Sequence, residues 1–288
     1  MTLPPALIER ILSKLGLSAR PEPTWPGLKT IYTAWCLKVP FDNVRKLIHL
    51  RRGNCGALPG DAADEFFEAW LRHGTGGTCW AGNGALQSLL RSLGFDARRG
   101  LGTMLVTANL PPNHGTVLVS CERDRYLVDA SMLHGEPLRL DEHAATSIAH
   151  PAWGVACLVR EGQWSIRWRP LHATDGLDCR IEQLDVSEQS FSERHEQSRG
   201  WGPFNYAVYA RVNRADAALG TAFGQRVDLV ASGRVVQCTL PPEQRAQFLI
   251  EELGMDEGLI TQLPPDLPTP PPPESAAARR LGGKLLAR

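Results

Sequence analysis

The sequence predicts an α+β fold, and three observations carry that reading. Apolar residues recur at helical spacing through much of the first 95 positions. Short β-branched and aromatic runs, broken by turn residues, fill about 96–172. A hairpin and one more amphipathic helix follow, ahead of a proline-rich tail. With 288 residues, 43% of them hydrophobic, the chain can build one large domain or two to three smaller units.

The elements follow in chain order. Ile8, Ile11, Leu12 and Leu15 lie on one helical face that stops at Gly16. The stretch DAADEFFEAWLRHG predicts a helix capped by Asp61 and ended by Gly74. A third helix is expected from about Gly82 to Leu93, stopping at Gly94. The runs ARRGLGTMLVTAN, HGTVLVSCE, RYLVDAS, WGVACLVREG and QWSIRWRPL predict an antiparallel sheet or barrel. RVDLVASGRVVQCTL reads as a hairpin about Ser232 and Gly233, and PEQRAQFLIEELGM as a closing helix. The tail TPPPPESAAARRLGGKLLAR reads as a stiff linker with a disordered end. The implied divisions are a helical part at 1–95, a β-barrel at 96–200, an α/β lid at 201–268 and the tail at 269–288.

Charge and cysteine usage exclude several functions. Net charge is zero, from 31 Lys+Arg against 31 Asp+Glu, which argues against nucleic acid or an anionic membrane as partner. No apolar run is long enough to span a bilayer. The N-terminus is an amphipathic helix pattern rather than a signal peptide, because Glu9, Arg10 and Lys14 interrupt it. Seven dispersed cysteines without a C-x-x-C point to free thiols in a reducing cytoplasm. No His/Cys spacing suits a metal.

One of those thiols stands in a setting built for chemistry. In GTGGTCWAGNGALQSLLRSLGF, glycines lead into Cys79 and a helical pattern follows. A helix start favours a thiolate through its free N–H groups and dipole. Cys36, Cys121, Cys157 and Cys238 sit inside apolar patterns and read as core, and Cys179 follows a loop. Cys55, in RRGNCG, is the competing candidate because two arginines precede it. A phosphate loop is discarded, because the G-x-x-x-x-G-K-[ST] pattern is absent and Cys79 stands where G-x-G-x-x-G needs its last glycine.

A nucleophilic thiol needs a base, and the base an orienting group. His114 opens the strand GTVLVSCE, and Asp129 ends the next strand, RYLVD. If these strands form a hairpin through ERDR, the two residues are antiparallel neighbours. His134, His143 and His150 read as loop residues. A Cys-His-Asp set serves any acyl transfer. A transferase, a hydrolytic or transglutaminase-like enzyme, and a non-catalytic binding protein of the same fold all stay open at this point.

With these residues in place, the chain resembles the arylamine N-acetyltransferase family. TGGTCWAGN, residues 75–83, is similar to the family's R-G-G-x-C-x-E-x-N motif, and VPFDNVRKL to its P-F-E-N-L segment. LLRSLGFDARRG, the strand at His114, and YLVD with PLRL after it match in the same order. The similarity covers roughly residues 5–268. It implies a cysteine-protease or transglutaminase-like core with a helical N-terminal part, a β-barrel and a C-terminal lid. It implies a triad of Cys79, His114 and Asp129, which decides between Cys79 and Cys55. It implies acyl transfer from coenzyme A, or from an acyl carrier protein, to a small amine through a cysteine acyl-enzyme, with no tightly bound cofactor. It also implies a substrate cleft walled by Phe41, Trp80 and Met132.

The chain departs from the motif. Thr75 replaces its arginine and Ala81 its glutamate, and DASML stands where the family has D-V-G-F-G. Met132 then replaces an aromatic cleft wall and suits varied apolar partners. The arginine and glutamate carry opposite charges and read as a coupled pair lost together, which costs less than losing either one.

Overall fold

The computed structural model describes residues 2–106, 110–160, 162–273, 275 and 277–280. The remainder of the proline-rich tail, 281–288, lies outside the described residues. The helical part contains α1 (Pro5–Leu15), α2 (Trp25–Lys38), α3 (Val44–Arg51), α4 (Ala63–His73) and α5 (Cys79–Ser92), with a two-residue strand β1 (Phe41–Asp42) between α2 and α3. Gly16 and Gly74 end α1 and α4 in the left-handed conformation, at φ 81° and 69°. Helix α2 has no counterpart in the sequence reading. Its apolar residues cover more than one face, because it packs on α1 and on a strand of the C-terminal sheet.

Two expectations about this part are corrected. Helix α5 begins at Cys79, a turn before Gly82, so the thiol sits in its first turn. Asp61 does not cap α4, whose N-cap is Ala62 with no side-chain bond. Its two carboxylate oxygens instead share the Ser192 hydroxyl, at 2.8 and 2.9 Å, and Oδ1 faces His195 Nδ1 at 3.3 Å. A partnered aspartate in a long-range contact outcompetes the local cap.

The barrel strands are β2 (Asp96–Met104), β3 (His114–Cys121), β4 (Asp124–Val128), β5 (Leu138–Leu140), β6 (Thr146–Ile148), β7 (Val155–Arg160), β8 (Gln163–Trp168) and β9 (Leu177–Val186). They form one antiparallel sheet in the order β5-β4-β3-β2-β9-β8-β7-β6. The sheet nearly closes on itself. Its edge strands β5 and β6 lie side by side, and Thr146 Oγ1 donates to the Arg139 carbonyl across the seam. The β3–β4 pairing runs through Val117↔Val128 to Cys121↔Asp124, with the turn at Glu122–Arg123. After β9, helix α6 (Glu188–Gln197) lies over α5 and β2.

The last sheet has β10 (Tyr209–Asn213), β11 (Ala218–Ala222), β12 (Gln225–Leu229) and β13 (Val235–Thr239) in the order β1-β10-β11-β12-β13. Strand β1, from the helical part, is therefore an edge of the C-terminal sheet, with Phe41 opposite Arg211. Helix α7 (Pro242–Gln247), a π-helical turn and α8 (Glu257–Ile260) follow. Cys238, read as core, is exposed on β13, because an edge strand packs on one side only.

The same strand β1 also touches the glycines before the thiol. Phe41 forms an isolated bridge with Gly77, and the Asp42 carboxylate accepts from the N–H groups of Gly76, at 2.6 Å, and Val44, at 3.0 Å. A Cβ on Gly76 would lie 1.9 Å from the Pro40 carbonyl oxygen, a backbone atom that cannot swing away. Gly76→Ala is therefore expected to destabilise the fold by on the order of 1–3 kcal/mol, as overpacking does. A lowered denaturant midpoint is the check.

Candidate active site

Cys79, His114 and Asp129 meet where the first turn of α5 faces the β3–β4 hairpin. All three are nearly buried, with 9%, 2% and 0% of their surface exposed. His114 Nε2 is 2.8 Å from Asp129 Oδ2, and the imidazole lies close enough to the Cys79 sulfur to be influenced by it. With Nε2 on the carboxylate, Nδ1 is the nitrogen left for the thiol.

The second carboxylate oxygen of Asp129 is fully engaged. Oδ1 accepts from Ser131 N at 2.9 Å, Ser131 Oγ at 2.7 Å and Met132 N at 3.0 Å, with Asn83 Nδ2 at 3.4 Å. Burial works against the Asp129 anion. The charge of His114, its hydrogen bond and these donors outweigh that and hold the carboxyl well below its ordinary range. Burial likewise opposes the imidazolium, but the charge and hydrogen bond of Asp129, with the nearby Cys79 sulfur, push His114 up to about 10. The site is thus arranged for an imidazolium between a carboxylate and a sulfur.

Two further side chains hold this arrangement, and the sequence reading assigned neither a role. Asn83 Nδ2 donates to the Gly115 carbonyl at 2.6 Å, and Asn83 Oδ1 accepts from Ala130 N at 2.9 Å. It ties α5 to both strands of the hairpin. Its signal was its spacing, four residues after Cys79 and so on the same helical face. Tyr32 of α2, 0% exposed, donates to the Asp129 carbonyl at 2.9 Å and accepts from the Asp129 N–H at 3.0 Å. No local pattern marks Tyr32, because the contact spans 97 residues of sequence.

The other thiols are differently placed. Cys36, Cys121, Cys157 and Cys179 are buried, and burial pushes Cys36 and Cys157 up to about 12. Cys55 is exposed, on a loop after α3, with its sulfur 3.6 Å from the Gly53 carbonyl. His134, read as a loop residue, is 0% exposed, because its ring packs against Tyr32 and Nδ1 bonds the Glu136 carbonyl at 2.7 Å.

The three expected cleft residues separate. Trp80 packs on Phe191 of α6 at 5.0 Å, and a Cβ on Gly115 would meet both rings, at 2.5 and 2.8 Å. Gly115 thus lets the two aromatics close beside His114. Phe41 starts a chain of rings through Phe204 at 5.3 Å and Tyr209 at 5.4 Å, reaching Phe223 and exposed His172. Met132 is 1% exposed and packs inside the barrel with Leu118, Leu127 and Leu138. The turn that wraps Asp129 directs it there, and its backbone N–H is what serves the site.

The motif departures are both buried. Thr75 is 0% exposed and its hydroxyl has no partner among the described residues. The Ala81 methyl fills the space that side chains on Gly60 or Gly77 would need, beside Phe66. A glutamate has no room there without displacing the glycines that lead to Cys79.

Cysteine, histidine and aspartate thus form a buried thiol–imidazole–carboxylate group across a helix start and a barrel hairpin. Residues 24–169, half of the chain, match the N-acetyltransferase family model. The chain belongs to the arylamine N-acetyltransferase family. It is 30% identical over 179 residues to the arylamine N-acetyltransferase / N-hydroxyarylamine O-acetyltransferase of Salmonella typhimurium, over 58% of each chain. It is 28% identical over 178 residues to an arylamine N-acetyltransferase of Mycolicibacterium smegmatis, over 56% of this chain and 62% of that one. The matched segments thus span under two thirds of both relatives. In fold it is similar to the arylamine N-acetyltransferase of Mycobacterium abscessus, with TM-score 0.75 and 18% identity over 89% of this chain and 93% of that one. The Mycobacterium marinum enzyme in complex with CoA gives 0.74 and 16% over 89% and 98%.

The buried pair makes stability depend on pH in a definite direction. The folded imidazolium, raised from 6.5 to about 10, contributes stability that is fully present below 6.5 and is lost as pH rises toward 10. The Asp129 share is present above 3.8 and is lost as pH falls below it. Thermal melts of Asp129→Asn and the parent are expected to differ most between those limits and to converge toward pH 10. A gap independent of pH would mean that the pair is not ionised. At Thr75, replacing an unpaired buried hydroxyl by a methyl removes a penalty of roughly 1–3 kcal/mol. Thr75→Val is expected to leave the denaturant midpoint unchanged or raise it.

Proposed function

We propose that this protein transfers an acetyl group from acetyl-CoA to an aryl amine through an acyl-enzyme on Cys79. The observation that carries the reading is the buried gathering of Cys79, His114 and Asp129, with His114 bonded to Asp129 and next to the sulfur. Family membership supports the donor and the acceptor class.

The steps follow from the groups present. In the resting site the thiolate is paired with the His114 imidazolium. The thiolate attacks the thioester carbonyl, and the new carbon–sulfur bond forms as the bond to coenzyme A breaks. The departing CoA thiolate takes the His114 proton, leaving a neutral imidazole. The amine nitrogen then attacks the acyl-enzyme, His114 accepts its proton, and the Cys79 thiolate leaves. Product and resting ion pair are regenerated together. Asp129 holds the ring with one nitrogen toward sulfur and balances its charge throughout. The first N–H groups of α5 have no intrahelical partner and Thr78 offers no side-chain cap, so they are available to the developing oxyanion. The rings running outward from Phe41 suit the aromatic face of the acceptor.

Intact-protein mass spectrometry with acetyl-CoA tests the reading. One acetyl group is expected on the parent and on Cys55→Ser, and none on Cys79→Ser. Rapid loss of the acetyl group without amine would make the protein a hydrolase, and no adduct at all would make it a binding relative. With both substrates varied, parallel double-reciprocal lines are expected, and intersecting lines would exclude the covalent route.

A further inference from the structure

His172 is an imidazole set among hydrocarbon rings, and the acyl-transfer steps give it no role. Its ring meets Tyr209 at 5.4 Å, Phe223 at 5.8 Å and Phe204 at 6.3 Å, each edge to face. Phe41 touches two of the same rings, Phe204 at 5.3 Å and Tyr209 at 5.4 Å, and its backbone bridges Gly77, two residues ahead of Cys79. His172 therefore stands two ring contacts from the strand that holds the glycines leading to the thiol. Neither of its ring nitrogens has a hydrogen-bond partner among the described residues. Its outer edge reaches solvent, yet the rings remove enough water to push its imidazolium down to about 4. The side chain is then neutral, with one N–H to donate and one nitrogen to accept.

The segments that carry these rings are fastened by buried hydrogen bonds. The Asn43 carboxamide donates to the Phe204 and Ala207 carbonyls, both at 2.8 Å, and accepts from Tyr209 N at 2.8 Å. The Tyr209 hydroxyl accepts from Leu171 N at 3.2 Å, beside His172. Arg169 donates to the carbonyls of Thr174, Pro151 and Gly233, at 2.7, 2.9 and 3.0 Å, and so ties down the loop that bears His172. Phe223 is placed at a cost. Ala222 pairs with Gln225 across β11 and β12, so Phe223 and Gly224 form a two-residue turn, at φ 51° and 83°. That turn favours Asn-Gly, and a bulky residue at positive φ is strained. Such strain marks candidate functional positions. Here it sets a half-buried phenyl ring beside His172 and Phe204.

We propose that His172 is a specificity-determining residue of the acceptor site. The aryl ring of the amine lies on Phe204 and Phe223 with its amino group toward Cys79, and the His172 imidazole hydrogen-bonds a hydroxyl or amide at the far end of that ring. The proposal rests on the reading of the protein as an acyltransferase to aryl amines. The hydrocarbon rings accept any aryl amine. Tyr209 has its hydroxyl engaged with Leu171, so His172 offers the free polar atoms and favours acceptors that carry a partner for them. Rings on three sides strengthen such a bond by keeping water from it.

Steady-state acetylation of 4-aminophenol and 4-methylaniline tests this, because the two differ only opposite the amino group. The measure is the ratio of their kcat/KM values in each variant against the same ratio in the parent, which cancels the intrinsic reactivity of the amines. His172→Phe is expected to lower the preference for 4-aminophenol by about 2–10-fold, the scale of one hydrogen bond. His172→Gln, which keeps a donor and an acceptor, is expected to retain most of that preference. An unchanged ratio in a folded His172→Phe overturns the proposal while leaving acetyl transfer by Cys79 standing. No acetyl-enzyme in the parent overturns the transfer reading and this proposal with it. A second measurement needs no substitution at His172. Asparagine suits the positive φ of the turn, so Phe223→Asn removes the ring and keeps the hairpin. Its kcat/KM for both amines is expected to fall severalfold. Unchanged values for both would remove Phe223 from the acceptor site and overturn the proposal even if His172→Phe fails to fold.

Discussion

The carboxamide of Asn83 binds the helix that carries Cys79 to the hairpin that carries His114 and Asp129. Its nitrogen donates to the Gly115 carbonyl, next to His114, and its oxygen accepts from Ala130 N, next to Asp129. A helix and a strand pair brought together by apolar packing alone can slide, because dispersion contacts have little direction. Buried hydrogen bonds do not allow that, since each displaced group would be left unpaired at a cost of roughly 1–3 kcal/mol. Asn83 lies four residues beyond Cys79 on the same helical face. The clamp therefore fixes the thiol and the imidazole relative to one another.

Charge follows from that geometry. Asp129 has one oxygen saturated by Ser131, Met132 and Asn83 and the other reserved for His114. Fully donated carboxylates stay ionised even when buried. The anion holds the imidazolium, and the imidazolium faces the sulfur. A site so little exposed to water screens its charges weakly, which makes each neighbour of Cys79 matter. Asp42 works at the other end of the glycine stretch. Burial pushes its carboxyl up to about 6, yet it keeps both backbone N–H groups that set the path into α5.

Glycine serves two different purposes here. Gly76 allows a backbone carbonyl to approach where any side chain would collide, and Gly115 allows Trp80 and Phe191 to meet beside the histidine. The second contact brings α6 onto the site. Ser192 and His195 of the same helix, and Ser198 at its C-cap, reach Asp61 and Lys46, so its placement is tied to α3 and to the segment ahead of α4.

Local pattern sufficed for much of this. Gly16 and Gly74 stop their helices because few other residues tolerate positive φ. The hairpin through Glu122 and Arg123 was legible from alternation and a turn, and with it the proximity of His114 to Asp129, since antiparallel pairing is itself a local rule. The thiol was legible from its glycines and the helix behind them. Tyr32, the Lys46 contact with Ser198 and the true partners of Asp61 were not, because each acts across a separation that no periodicity encodes. Met132 entered the barrel interior because a turn around Asp129 set its direction. Cys238 came to the surface because its strand ended a sheet. The sequence by itself determined the helices that end at Gly16 and Gly74 and the hairpin that brings His114 toward Asp129, since those depend on neighbours a few positions away. Only the tertiary structure decided which distant groups surround them, because burial and charge are properties of packing between segments.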